Sequence, residues 1–192
     1  MPTILFESLP KVKQEKIIKA GIEEFSKLSY EQASINSIIK MANISRGSFY
    51  QYFQDKEDLY VYILTTNLKI SFNLMEPILQ NSKLRIKEKI INIFETLVSY
   101  EQAKLFTKIV VNMNYSHHKI ILNEISLFME SKYLQNCEKK LDKEKLKSVF
   151  GLVLYSFGFA CFSYFINKNP LEEVKETLTT NLEIIEGGLR KQ

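Results

Sequence analysis

Apolar residues recur every three or four positions along most of the 192-residue chain, the repeat that puts them on one face of a helix. From Pro10 onward Ile18, Gly21, Ile22, Phe25 and Leu28 share a face, with Lys13, Lys16, Lys19, Glu23 and Glu24 largely opposite. Pro10 suits a first helical turn, so an amphipathic helix is predicted there. Ser34 is the predicted cap of a short second helix that buries Ile35, Ile38, Ile39 and Ala42 and stops at Asn43. Asn tolerates a left-handed backbone, Ile44 can plug the corner, and Ser45 can cap a third helix through Arg46, Gly47, Ser48, Phe49 and Tyr50. A short helix, a tight turn and another short helix make a helix-turn-helix pattern.

Asp55 is the predicted cap of a long fourth helix carrying Leu59, Tyr62, Ile63, Thr66 and Ile70, with Pro77 as its end or a kink. The same spacing predicts helices over 82–100, 102–113 and 118–139, and a very apolar one over 143–166. Asn169, Pro170 and Glu172 supply cap, first-turn proline and reciprocal acid for a last helix ending near Gly187 and Gly188. Six glycines and four prolines are too little punctuation for a sheet-rich fold. The expected fold class is therefore all-α: an N-terminal helix-turn-helix three-helix domain, residues 1–54, joined to a C-terminal helical regulatory and dimerisation domain, residues 55–192. With no internal repeat and no long linker, the division is expected inside the fourth helix.

A composition of 45% hydrophobic and 25% charged residues excludes a disordered chain. The net charge of +4 permits a nucleic-acid partner without demanding one, and residues 1–60 hold eight basic against eight acidic side chains. DNA affinity would then come from placement, dimerisation and helix ends more than from bulk charge. The sequence contains no Gly-rich phosphate loop, HExxH or GxSxG, so no catalytic residue is expected and an enzyme is disfavoured. His117 and His118 are adjacent and point different ways on a helix, so no metal site is expected; nor is a cofactor. Cys137 and Cys161 share no ligand spacing and suit a reducing cytoplasm, and the first ten residues lack a signal-peptide pattern. Residues 149–166 carry no charge, but Gly151, Ser156, Gly158 and Ser163 interrupt them, so a buried helix is preferred to a membrane span.

A recognition helix must put a few side chains on base edges while its neighbours hold phosphates. The small, polar start Ser45, Arg46, Gly47, Ser48 leaves room for a major groove, and the Arg46 fork can donate two bonds to guanine. Ser48 can touch base or phosphate, and Gln51 can pair with adenine. Tyr50, Tyr52, Lys56 and the helix cap Ser34 are candidate phosphate contacts. Residues 34–59, and more loosely 8–62, resemble the DNA-binding segment of TetR-family (tetracycline-repressor-like) transcriptional regulators, through the ordered set Ser45, Gly47, Tyr50, Tyr52, Phe53, Lys56, Glu57 and Leu59. Two positions depart from that family's pattern: Asn43 stands where glycine is common and Gln51 where histidine is common.

A helix-turn-helix protein reading a two-fold operator in double-stranded DNA must dimerise. Gly151, Tyr155, Gly158 and Phe162 form one stripe, and Leu178, Leu182 and Ile185 belong to a second. Both are candidates for a homodimer interface, with internal core as the alternative use of each. The resemblance likewise implies a four-helix dimer interface. Phe94, Tyr100, Phe106, Met113, Tyr115 and Phe128 are candidate lining of an apolar effector pocket, or ordinary core. The resemblance implies a ligand-responsive repressor. Its hydrophobic or aromatic effector would move the fourth helix, change the separation of the recognition helices and release the operator.

Overall fold

The computed structural model describes residues 2–132 and 143–190, and everything regular within them is helical. Ten helices run in order: α1 Ile4–Glu7, α2 Lys11–Lys27, α3 Ile35–Ala42, α4 Arg46–Tyr52, α5 Lys56–Gln80, α6 Ile86–Ser99, α7 Glu101–Val111, α8 Tyr115–Lys132, α9 Lys143–Phe165 and α10 Leu171–Arg190. They form two compact units, Met1–Ile70 with Lys108–Ile125, and Ser71–Thr107 with Ser126–Gln192. The division cuts α5 rather than preceding it, and the first unit takes back a stretch of chain from α7 and α8.

In the first unit the helix ends are set locally. Ser34 Oγ accepts from Asn36 N–H and Ser45 Oγ from Ser48 N–H, so each serine satisfies a donor that the helix start leaves open. Asn43 takes φ 52° and ψ 53°, and Asn43 N–H and Ile44 N–H close α3 on the carbonyls of Lys40 and Ile39. The side chains of Asp55 and Asp58 cap the start of α5 reciprocally, taking the N–H groups of Asp58 and Gln54. Phe25, Phe49, Phe53, Leu59, Ile63 and Ile109 are fully buried. A methyl group at Gly21 would lie 2.6 Å from Ile63 Cδ1 and 3.3 Å from Leu59 Cδ2, so a larger residue here would have to push those side-chain ends of α5 aside.

One element is absent from the sequence pattern. α1, capped by Thr3, packs on α4 through the fully buried Phe6, whose ring sits 4.7 Å from Phe53 and 5.7 Å from Tyr62. Thr3 N–H donates to Tyr52 O and Thr3 Oγ1 to Gln51 O, closing carbonyls at the end of α4. Glu24, expected on the solvent side of α2, is buried instead. Its carboxylate accepts from Ser34 N–H at 2.9 Å and Ser37 Oγ at 2.6 Å, which satisfies the charge and ties α2 to α3.

In the second unit α9 packs on α10 and α6 packs on both. Phe94, Ala160, Val174, Leu178 and Leu182 make one buried cluster; Ile93, Leu97, Ala103 and Phe165 make another, with Met75, Ile78 and Leu79 against it. Lys87–Glu183 (2.7 Å) and Lys175–Glu95 (2.6 Å) tie α6 to α10 at the surface. Pro77 does not end α5, which runs one turn further, and α10 runs through Gly187 and Gly188. Neither glycine takes the positive φ that terminates a helix.

Candidate nucleic-acid interface

The turn at Asn43 sets α4 against α3, and the first residues of α4 stand at the surface. Ser45, Arg46 and Gly47 are exposed, and Ser48 is half-buried with its hydroxyl 2.8 Å from Ser45 Oγ. A methyl at Gly47 would meet only Ser45 Oγ, at 3.9 Å. Internal packing therefore does not require glycine here, and its smallness is open to an approaching groove. Arg46 Nη1 donates to Asn36 Oδ1 at 2.7 Å, and the guanidinium carbon lies 5.6 Å from the centre of the Tyr50 ring. Tyr50 and Gln51 are exposed, and half-buried Ser34 holds the start of α3.

Two of the expected phosphate contacts are placed otherwise. Tyr52 is 4% exposed, its ring 6.2 Å from Phe6, which leaves almost no surface for a phosphate. Lys56 Nζ donates to Tyr30 O (2.6 Å), Ala33 O (2.9 Å) and Glu31 O (3.4 Å), and lies over the Tyr30 ring. An ammonium has three N–H donors, so Lys56 is engaged in holding the loop that leads into Ser34. Lys56→Met is expected to lower stability by about 1.5–3 kcal/mol, the cost of charge-assisted bonds, read as a drop in Tm. The salt dependence of DNA binding should stay unchanged; loss of a phosphate contact would lower its slope by about one unit.

A buried polar junction in this unit carries no signal in the sequence pattern. His117 is 1% exposed, and its Nε2 lies 2.9 and 3.0 Å from the two Glu57 oxygens. The rings of Tyr30 and Tyr60 pack on it, while Nδ1 has no hydrogen-bond partner. Burial, then the hydrogen bond to Glu57, raises the pKa of the Tyr30 phenol and keeps it protonated. Asn112 O accepts from Tyr30 N–H and Asn114 Nδ2 donates to Glu31, so the start of α8 is built into the loop before α3. No cluster among the described residues could hold a metal ion.

The expected effector and interface residues divide. Phe94, Tyr100, Phe106 and Phe128 lie in the second unit, whereas Met113 and the 75% exposed Tyr115 belong to the first, so the six do not line one pocket within a unit. Phe94 is enclosed in core, Phe128 stacks on Phe72 at 4.1 Å, and the Tyr100 hydroxyl donates to Gln102. A shallow depression between α9 and α10, lined by Ser156, Phe159, Ser163 and Asn181 among others, contains none of the six. Of the expected interface, Gly151, Tyr155 and Gly158 are exposed, and Phe162 and Ile185 are half-buried. Leu178 and Leu182 are 1% and 2% exposed, enclosed with Phe94 and Val174, which leaves them no surface for a partner. Cys161 is a free thiol, and Cys137 lies outside the described residues.

Residues 17–63 match the model for bacterial regulatory proteins of the tetR family. The HTH-type transcriptional regulator YhgD of Bacillus subtilis is 22% identical over 130 residues, 68% of each chain. YdgC from the same organism is 28% identical over 100 residues, so the chain spans about half of that relative's length. The fold is also that of the Bacillus subtilis transcriptional regulator FadR, solved in complex with stearoyl-CoA: TM-score 0.66 at 16% identity, covering 89% of this chain and 96% of that one.

Proposed function

We propose that the chain is a DNA-binding transcriptional regulator of the tetR family, working in the cytoplasm as a homodimeric repressor released from a two-fold operator by a hydrophobic effector. The observation that carries the DNA-reading part is the exposed start of α4, where a short, small-residue helix end presents the Arg46 guanidinium. Arg46→Ala is expected to cost about 1–3 kcal/mol of operator affinity and to relax sequence preference, with little change in binding to unrelated DNA. Titration against the DNA upstream of the protein's own coding sequence, followed by selection from random duplexes, measures both. Equal affinity of both proteins for every duplex would end this reading.

Support for the dimer comes from α9. Among the described residues its Lys145–Phe165 stretch is long and apolar enough to span a membrane, yet only 22% of its most apolar window is buried. A core helix would bury most of such a surface, so something else covers Leu152, Tyr155 and Phe159. A second copy does so symmetrically. Gly151 and Gly158, where an added methyl would meet nothing within 4 Å, leave room for its backbone. The effector reading rests on the aromatic side chains of the second unit and on the fold shared with FadR, whose structure holds stearoyl-CoA. Coupling is supported by chain path: Lys108–Ile125 leaves the second unit and returns to it, while its own residues bond to the loop before α3. An effector then acts by favouring a conformation with lower operator affinity.

A further inference from the structure

The geometry points to Asn36 as a second base-reading residue, turned by Arg46 so that it leads with its amide hydrogens. The operator would then carry guanine under Arg46 and, beside it, guanine or thymine rather than adenine. This rests on the reading of α4 as the operator-reading helix and adds the base chemistry of its target.

A guanidinium has five N–H donors and no acceptor, so the 2.7 Å contact from Arg46 Nη1 fixes the orientation of the Asn36 amide. The oxygen faces Arg46, and the amide nitrogen keeps two N–H groups to give elsewhere. Asparagine reads adenine by accepting from N6 while donating to N7. With one lone pair of Oδ1 held by the guanidinium, adenine N6 would have to share that oxygen with a positively charged donor, so the donating half is favoured. Tyr50 reinforces the same polarity: Arg46 Nη2 donates to its hydroxyl at 3.4 Å, which leaves the phenol its own proton to donate. Asn36, Arg46 and Tyr50 are all exposed, on the second residue of α3 and the first and fifth of α4. They present donors together. The major-groove edges that match are those offering acceptors: N7 and O6 of guanine, and O4 of thymine.

The test is selection of binding sites from randomised duplexes by the full chain and three variants, then affinities for single-base changes in the selected site. Wild type should enrich guanine at an Arg46-dependent position and guanine or thymine beside it. Asn36→Ala should lower discrimination at that second position by about tenfold and weaken the first, because the guanidinium loses its anchor. Asn36→Asp still holds Arg46 but cannot donate, so guanine should persist while the neighbour changes to cytosine, whose N4 amine donates. Arg46→Ala frees Oδ1 and should admit adenine at the second position. Unchanged melting temperatures, expected for exposed side chains, separate these effects from unfolding. A wild-type site with adenine at the Asn36-dependent position, or a site unaltered by Asn36→Ala, overturns the assignment and leaves operator reading intact. Failure of wild type to enrich any sequence ends operator reading, and this inference with it.

Discussion

In the proposed homodimer, Gly158→Asp is expected to separate the subunits and to lower operator affinity by about a hundredfold or more, without unfolding either one. Gly158 is exposed on α9, and a side chain there meets nothing within 4 Å in its own chain. Aspartate is no worse in a helix than glycine, so the subunit has no local reason to melt. In a two-fold interface the substitution appears twice, and each carboxylate must leave water on a surface otherwise made of Leu152, Tyr155 and Phe159. Two recognition helices held on one particle bind two half-sites with an effective concentration that a monomer lacks, which is why the loss reaches DNA binding. Light scattering in detergent-free buffer reads the mass and a melting curve reads the fold. A variant that stays dimeric shows that α9 is not the interface. A wild type that needs detergent shows that its apolar face meets lipid instead.

Phe6→Ala is expected to cost about 3–5 kcal/mol, a large share of the roughly 5–15 kcal/mol that holds a typical domain together. The ring is fully buried between Phe53, Tyr62 and Tyr52, so its removal loses transfer energy and leaves a cavity that these rings cannot fill. The loss also reaches α4, the proposed reading helix. With α1 detached, Thr3 no longer closes the carbonyls of Gln51 and Tyr52 at the end of α4. Tm and operator affinity should therefore fall together, and Thr3→Val should lower both by less, about 1 kcal/mol for a lost cap. An unchanged melting curve for Phe6→Ala would mean that α1 is not docked on α4.

The helix-turn-helix was legible because everything that makes it lies within a few residues along the chain. Ser34 caps α3 and Ser45 caps α4, Asn43 turns the backbone between them, and Ile38, Ala42 and Phe49 keep the helical repeat into the core. The exposed start of α4 was readable for the same reason: small and polar residues in a row need no partner to be recognised. Local signals misled where a residue type has two uses. Pro77 read as an end or a kink and the pair Gly187, Gly188 as a stop, but α5 and α10 both run past them. Leu178 and Leu182 read as a stripe that either core or partner could use, and the subunit's own core took them.

Helix positions, caps, the turn and the family resemblance come from the order of residues, since helices and caps are closed by bonds spanning two to five positions. The roles of polar side chains do not, because their partners are brought near by packing alone. Lys56 bonds to the carbonyl of Tyr30, 26 positions away, Thr3 to Gln51 across 48, and His117 to Glu57 across 60. Where burial removes water, as at His117, the pairing becomes obligatory, since a polar group taken out of water without a partner costs more than the bond contributes when made. Folding thereby turned one expected phosphate lysine into a loop clamp, gave a solvent-side glutamate to α3, and set Asn36 against Arg46.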